Sequence, residues 1–320
     1  MPSFLTLAET DLEAVNRLIQ DNLYSNVEFV EHVGDYLIRA GGKRLRPILS
    51  LMCARAIQDD PSDTIKLAAA VEFIHTATLL HDDVVDESLL RRGHETANAK
   101  WGNSASVLVG DFVYSRAFQM LVSIGNLEVL RILSETTNIL AEGEVMQLIN
   151  AGNTELDETE YFKVIRSKTA KLFEASCEGA AILSNATPEV RQALAIYGDQ
   201  LGIAFQLVDD LLDYVGDADK MGKNVGDDLA EGKATLPLIH AMRVSSEKDA
   251  ETIRTALLNK DTTAIDAVLE LVNKSQALNY TQSVAEQHIE RAKLALNVLD
   301  DSVYREALNE IADYCIARTQ

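Results

Sequence analysis

The sequence predicts an all-α fold, and three observations lead there. Apolar residues recur at spacings of three and four along nearly the whole chain, the period of an amphipathic helix rather than the alternation of a strand. Glycine and proline are scarce, 16 and 5 in 320 residues, too few to punctuate a β-sandwich or a long series of βα units. Finally, Thr64 to Val85 reads as one continuous helix that is apolar on most sides from Leu67 to Leu80, as a buried central helix must be.

In chain order, Leu12 to Ile38 reads as two amphipathic helices broken near Ser25-Asn26. Gly41-Gly42-Lys43-Arg44-Leu45-Arg46-Pro47 is a loop whose proline suits the first turn of the helix that follows. That helix runs through Ile57 and stops at Asp59-Asp60-Pro61-Ser62, before the long apolar one. Ser88 to Gly102 is a polar connection containing Arg91-Arg92-Gly93. Helices are expected over 104–123, 127–150, 158–183 and 188–214, then a loop rich in glycine and aspartate over 216–233, then shorter amphipathic helices as far as Ala317. No Pro/Ser-rich linker and no fixed-period repeat divides the chain, so residues 1–320 are expected to form a single domain.

Composition excludes several classes of function. A formal charge of −21 argues against nucleic acid, which needs a basic face to displace counterions, and against attachment to an anionic bilayer. The three cysteines, Cys53, Cys177 and Cys315, are isolated and show no CxxC spacing, so buried thiols in a reducing compartment are expected rather than a zinc or redox site. The N-terminus lacks a cationic start followed by an apolar core, and no run approaches 18 uncharged apolar residues. A cytoplasmic protein with no stable membrane insertion is expected.

The chemistry lies in a repeated acidic signature, Asp82-Asp83-Val84-Val85-Asp86 and Asp209-Asp210-Leu211-Leu212-Asp213. Helical residues four apart lie roughly 40° apart around the axis, so the first and last aspartate of each block share a face. Like charges so placed destabilise a bare helix unless a cation sits between them. Hard carboxylate oxygens favour Mg²⁺, which binds through a few carboxylates and completes its shell with water and substrate phosphates. One DDxxD is as readily a solvated acidic face. Two, each beside apolar helix text where an unpaired carboxylate is costly, point to two clusters facing a shared diphosphate load. Local basic clusters stand out against the acidic background: Lys43, Arg44 and Arg46 on a glycine turn, Arg91-Arg92 just past the first block, Lys168 beside Thr169, and Lys223 and Lys233 flanking Asp227-Asp228. Each alone reads as ordinary surface; together they suit two diphosphates bound side by side. His75 could donate to a phosphate, whereas His81 is expected to pack or to support the aspartates. No Walker loop, GxGxxG or Ser-His-Asp order is present.

DDVVDESLLRRG, FQLVDDLLDYVGD, GGKRLRP, SKTAKLFE and GKNVGDDLAEGKATLPLIHA together resemble the trans-isoprenyl diphosphate synthases, from about Leu12 to the end of the chain, and most of all the bacterial long-chain branch. The resemblance implies a single large helical bundle around a deep central cavity, of the isoprenoid synthase type. It implies that Asp82, Asp83, Asp86, Asp209, Asp210 and Asp213 hold three Mg²⁺ on an allylic diphosphate, with Arg91, Lys168, Lys223 and Lys233 neutralising the same group. Lys43, Arg46, His75 and Arg92 would bind isopentenyl diphosphate, and Thr169 and Gln206 would line the reacting carbons, while Arg44 is less certain as a direct ligand. The small Ala77 and Thr78, five and four residues before the first block, would open the product pocket, with Leu121 and Leu133 candidates for its floor. A homodimer is implied, as is successive addition of isopentenyl diphosphate to farnesyl or another allylic diphosphate. The expected product is an octaprenyl chain for respiratory quinones, with nine or ten units as alternatives. Two rivals are a terpene cyclase, which lacks a second diphosphate pocket and usually replaces the second DDxxD, and a non-catalytic synthase subunit, which typically loses both blocks.

Overall fold

The computed structural model describes residues 3–39, 42–57, 60–91, 93–215 and 226–317. The chain is all-α, as expected, with one two-stranded ribbon. Its helices are α1 (Ser3–Asn22), α2 (Glu28–Arg39), α3 (Leu45–Arg55), α4 (Ser62–Val85), α5 (Ala97–Trp101), α6 (Asn103–Ile124), α7 (Leu127–Ile149), α8 (Glu158–Ile165), α9 (Lys171–Leu183) and α10 (Pro188–Val215). Among the described residues six follow: α11 (Asp227–Glu231), α12 (Leu236–Val244), α13 (Glu247–Asn259), α14 (Ile265–Lys274), α15 (Ala277–Ala295) and α16 (Val303–Ile316). Local chemistry sets many of these bounds. Thr96, Asp157 and Ser246 cap the first turns of α5, α8 and α13, each accepting a backbone N–H three residues on. Gly125, at φ 76°, closes α6 in the left-handed conformation that favours glycine.

Two compact units emerge, each assembled from three separate stretches of chain. The first comprises residues 1–137, 172–198 and 295–311. In it α4 is the buried helix the sequence predicts: Leu67, Phe73, Ile74, Ala77 and Leu80 are all fully enclosed, with α1, α3 and α6 packed against it. The second comprises residues 138–171, 199–294 and 312–320. Its core gathers Tyr161 and Ile165 of α8, Leu207 and Val208 of α10, and Leu238, Ile253, Val268 and Ala285 from α12 to α15.

Three segments depart from expectation. The 88–102 connection is not merely polar loop: Leu90-Arg91 pairs antiparallel with His94-Glu95, and α5 follows. The helix expected over 158–183 is interrupted by one π-turn, Arg166–Ala170. Within 216–233, α11 forms, while 216–225 lies outside the described residues. Among the described helices, α6 alone is long and apolar enough by length and composition to cross a membrane; Asp111 and Arg116 lie in its middle, and 33% of its most apolar window is buried.

Candidate active site

Both acidic blocks occupy the C-terminal turns of long helices, the first on α4 and the second on α10. Helix C-termini carry partial negative charge, so carboxylates are disfavoured there and cations favoured. Neither helix has a basic residue in its last turn to compensate. Dipole and self-repulsion therefore act together at each block, and a hard cation would relieve both.

In the first unit, His75, Thr78, Asp82 and Asp86 fall on one stripe at the end of α4, and all four are half-buried. Asp83 points the other way and is 1% exposed. Arg91 answers it: Nε donates to Asp83 Oδ1 at 2.7 Å, and Nη2 lies 2.6 Å from the same oxygen. The ribbon supplies the placement. Gly93, at φ 77°, turns the strand, and Asn98 Nδ2 donates to the Asp83 carbonyl at 3.0 Å, drawing the connection back onto the helix end. Arg92 lies outside the described residues.

In the same unit, Lys43 is exposed, and the half-buried Arg46 sets its guanidinium 4.4 Å from the centre of the Phe173 ring. Arg44 is bound elsewhere, its Nη1 donating to Glu72 of α4. Ala77, Leu121 and Leu133 are buried on α4, α6 and α7, and the Thr78 hydroxyl donates to the His75 carbonyl at 2.8 Å. His81 lies against α6, its Nε2 3.3 Å from the Val107 carbonyl oxygen and 3.4 Å from Asp111, in keeping with a packing role.

The second unit brings several predicted residues into one network. Thr169 Oγ1 donates to Gln206 Oε1 at 2.8 Å, and Gln206 Nε2 donates to Asp210 Oδ1 at 2.8 Å. The other oxygen of Asp210 accepts from the buried Tyr161 hydroxyl. Burial foremost, then the Asp228 charge and to a smaller extent that of Asp209, push Asp210 up to about 8, against the two hydrogen bonds that favour its ionised form. Asp213, also buried, accepts the backbone N–H groups of Asp227 (3.1 Å) and Asp228 (3.3 Å), so it caps α11. Asp209 remains half-buried. Lys168 and Thr169 sit in the π-turn, a device that widens a helix locally and often marks functional positions. Lys168 Nζ donates to Glu144 Oε2 of α7 at 2.7 Å, and Lys233 pairs with Glu231. Lys223 lies outside the described residues.

At each helix end taken by itself, the carboxylate oxygens are donors that fit a hard divalent cation. Among the described residues, no group of three or more such side chains is gathered closely enough to hold a metal unaided. Sequence reasoning missed Tyr161, Glu144 and Glu72. Tyr161 lies eight residues before Thr169 inside helix text, where it reads as core; Glu72 and Glu144 read as solvated charges.

Comparison with known proteins identifies this all-α chain, with an acidic block at the end of a long helix in each unit, as a prenyltransferase. The family model for polyprenyl synthetase matches residues 27–275, and the chain belongs to that family. It is 49% identical over 313 residues to octaprenyl diphosphate synthase of Escherichia coli strain K12, spanning 98% of this chain and 97% of that protein. Among solved structures, a decaprenyl diphosphate synthase from Rhodobacter capsulatus superposes with TM-score 0.95 at 43% identity, covering 99% of each chain. A polyprenyl synthase from Caulobacter crescentus, complexed with calcium and isoprenyl diphosphate, superposes with TM-score 0.95 at 44% identity, covering 99% of this chain and 97% of that one.

Proposed function

We propose that this chain is an all-trans polyprenyl diphosphate synthase that adds isopentenyl diphosphate repeatedly to an allylic primer, farnesyl diphosphate foremost, and releases octaprenyl diphosphate for a quinone side chain. The observation that carries the reading is the 49% identity to the Escherichia coli octaprenyl enzyme over 98% of the chain, in a sequence that keeps both acidic blocks and the GGKRLRP segment. A nine- or ten-unit product is the second reading, favoured by the 43% identity to the decaprenyl enzyme.

Bound Mg²⁺, three ions per site, would offset the charge that develops on the departing diphosphate. Asp82, Asp86 and Asp209, half-buried, are assigned direct coordination. Asp83, Asp210 and Asp213 support them from buried positions through Arg91, through Tyr161 and Gln206, and through the α11 backbone. Arg91, Lys168, Lys223 and Lys233 neutralise the allylic diphosphate; Lys43, Arg46, His75 and Arg92 hold isopentenyl diphosphate. The C1–O bond of the primer breaks with both electrons leaving on diphosphate, and the π pair of isopentenyl diphosphate forms the new bond to C1. A proton is then lost to the released diphosphate. Thr169, donating its own proton to Gln206, keeps its oxygen lone pairs for the developing cation.

Ala77 and Thr78 are assigned the product gate, Leu121 and Leu133 its floor. The chain acts as one domain over 1–320, a reading supported by the interleaved stretches of both units. A cytoplasmic homodimer accounts for Leu108, Val122 and Leu127, which lie 67%, 62% and 81% exposed on and just after α6. Incubating the purified chain with labelled isopentenyl diphosphate, farnesyl diphosphate and Mg²⁺, then separating dephosphorylated products, tests the reading. A C40 product is expected; no incorporation of label would refute a synthase. Sedimentation without detergent tests the dimer.

A further inference from the structure

Glu72 sits inside α4, 6% exposed, one turn before the half-buried His75 and the buried Thr76. A carboxylate so enclosed demands a partner, and it receives Arg44 from the GGKRLRP segment. Arg44 is unusual in two respects. Its backbone is left-handed, φ 48° and ψ 32°, a conformation that non-glycine residues rarely hold without outside support. It also stands at the cap of α3, its carbonyl accepting Ile48 N–H at 3.0 Å, so the turn it adopts decides how the chain enters that helix. The two cations assigned to isopentenyl diphosphate flank it: Lys43 immediately before and Arg46 in the first helical turn, the latter already steadied over Phe173. Arg44 is committed to the protein interior while its neighbours are presented.

We propose that Glu72 is a positioning residue for the isopentenyl diphosphate subsite, acting through Arg44 to hold the left-handed turn that presents Lys43 and Arg46. The inference rests on the reading of that segment given above. It predicts a selective defect, because the turn serves one substrate and not the other.

The test is steady-state kinetics of the full-length enzyme, varying isopentenyl diphosphate at saturating farnesyl diphosphate and the reverse, with thermal melts of each variant. Glu72→Gln and Arg44→Gly are each expected to raise KM for isopentenyl diphosphate about tenfold, with kcat and KM for farnesyl diphosphate within twofold of the parent. Glycine populates left- and right-handed turns about equally, so Arg44→Gly leaves the turn unanchored rather than strained, and the double variant, which leaves no unpaired buried carboxylate, decides the matter should a single variant fold poorly. Because the two residues act as one device, the double variant is expected to be no worse than the more affected single one. Arg44→Lys, keeping a charge for Glu72, is expected to recover part of the loss. An unchanged KM for isopentenyl diphosphate in Arg44→Gly overturns the proposal, as does an equal rise in both KM values or a double variant whose effects multiply. Arg46→Ala separates the two levels. If it leaves that KM unchanged, the assignment of the whole segment falls; if it raises KM while Arg44→Gly does not, only the role of Glu72 falls.

Discussion

Gly143→Ala is the sharpest probe of how the second unit holds its diphosphate-binding residues. Gly143 is buried on α7 against the π-turn, and a methyl group there would lie 2.8 Å from Lys168 N, 2.9 Å from Ser167 Cβ and 3.0 Å from Ser167 C. Ordinary van der Waals contact begins near 3.4 Å, so α7 and the turn must part by roughly half an ångström. Two of the three obstructing atoms are backbone and cannot swing aside. Overpacking of this kind costs about 1–3 kcal/mol, which in a chain of this size lowers Tm by roughly 2–6 °C. The displaced backbone carries Lys168 and Thr169. Since a 1 Å misplacement can cost about 10²-fold in rate, kcat/KM for the allylic substrate should fall on the order of tenfold. The assay pairs calorimetry with single-cycle condensation. Gly179→Ala serves as comparison, because the added methyl there meets only Leu67, nearest at a side-chain end 3.0 Å away that can rotate. A Gly143→Ala enzyme within 1 °C and twofold of the parent would show that the close approach does not fix the turn.

Acid should weaken the second unit through His288. Its ring, enclosed and hydrogen-bonded by Nδ1 to Gln200 Oε1 at 2.8 Å, is pushed down to about 4 chiefly by burial and then by Arg291, with Asp199 opposing. A depressed histidine favours folding above its unfolded value near 6.5 and loses that contribution as pH falls towards 4. Allowing for partial screening, urea unfolding at pH 5 should show about 1–2 kcal/mol less stability from this group than at pH 7, and His288→Gln should remove that part of the slope; an unaltered slope refutes it. Asp213→Ala should lose about 1 kcal/mol with the α11 cap, whereas Asp213→Asn keeps an acceptor and should melt near the parent while turning over at least tenfold more slowly. Equal activity of Asp213→Asn and the parent would deny the carboxylate any electrostatic role. Ala77→Phe or Ala77→Tyr should shorten the product sharply, and an unchanged product ladder would remove Ala77 from the gate.

How much of this was readable in advance divides along the line between regular and irregular backbone. The helices at 62–85, 103–124, 127–149 and 188–215 were legible because each carries enough apolar residues at one period to outvote its exceptions. Arg46 lies in the first turn of α3, but at four other cations the backbone leaves the regular helix: Arg44 in a left-handed turn, Arg91 on a two-residue strand, Lys168 in a π-turn, Lys233 just after Gly232 at φ 75°. Such departures are set by tertiary contacts, among them Gly143 against Ser167 and Asn98 against Asp83. No run of residues encodes a π-turn; the SKTAKLFE segment has the period of an ordinary helix. The supporting carboxylates Glu72 and Glu144 were hidden for the same reason, since only the folded chain sets them against Arg44 and Lys168.

The six aspartates look equivalent in sequence, yet the fold treats them differently, and electrostatics explains why. Ionising two adjacent carboxylates at the negative end of a helix is unfavourable, and a third makes it worse. Asp83 is answered by Arg91, a full countercharge, whereas Asp210 accepts from a phenol and an amide, and Asp213 from two backbone N–H groups. Dipoles orient a carboxylate without cancelling its charge, and burial together with the Asp228 charge pushes Asp210 up to about 8. Asp83 of the first block is thus matched by a full charge, whereas the groups that hold Asp210 are neutral. The asymmetry of the two blocks is therefore built into their immediate neighbours rather than into the motif they share.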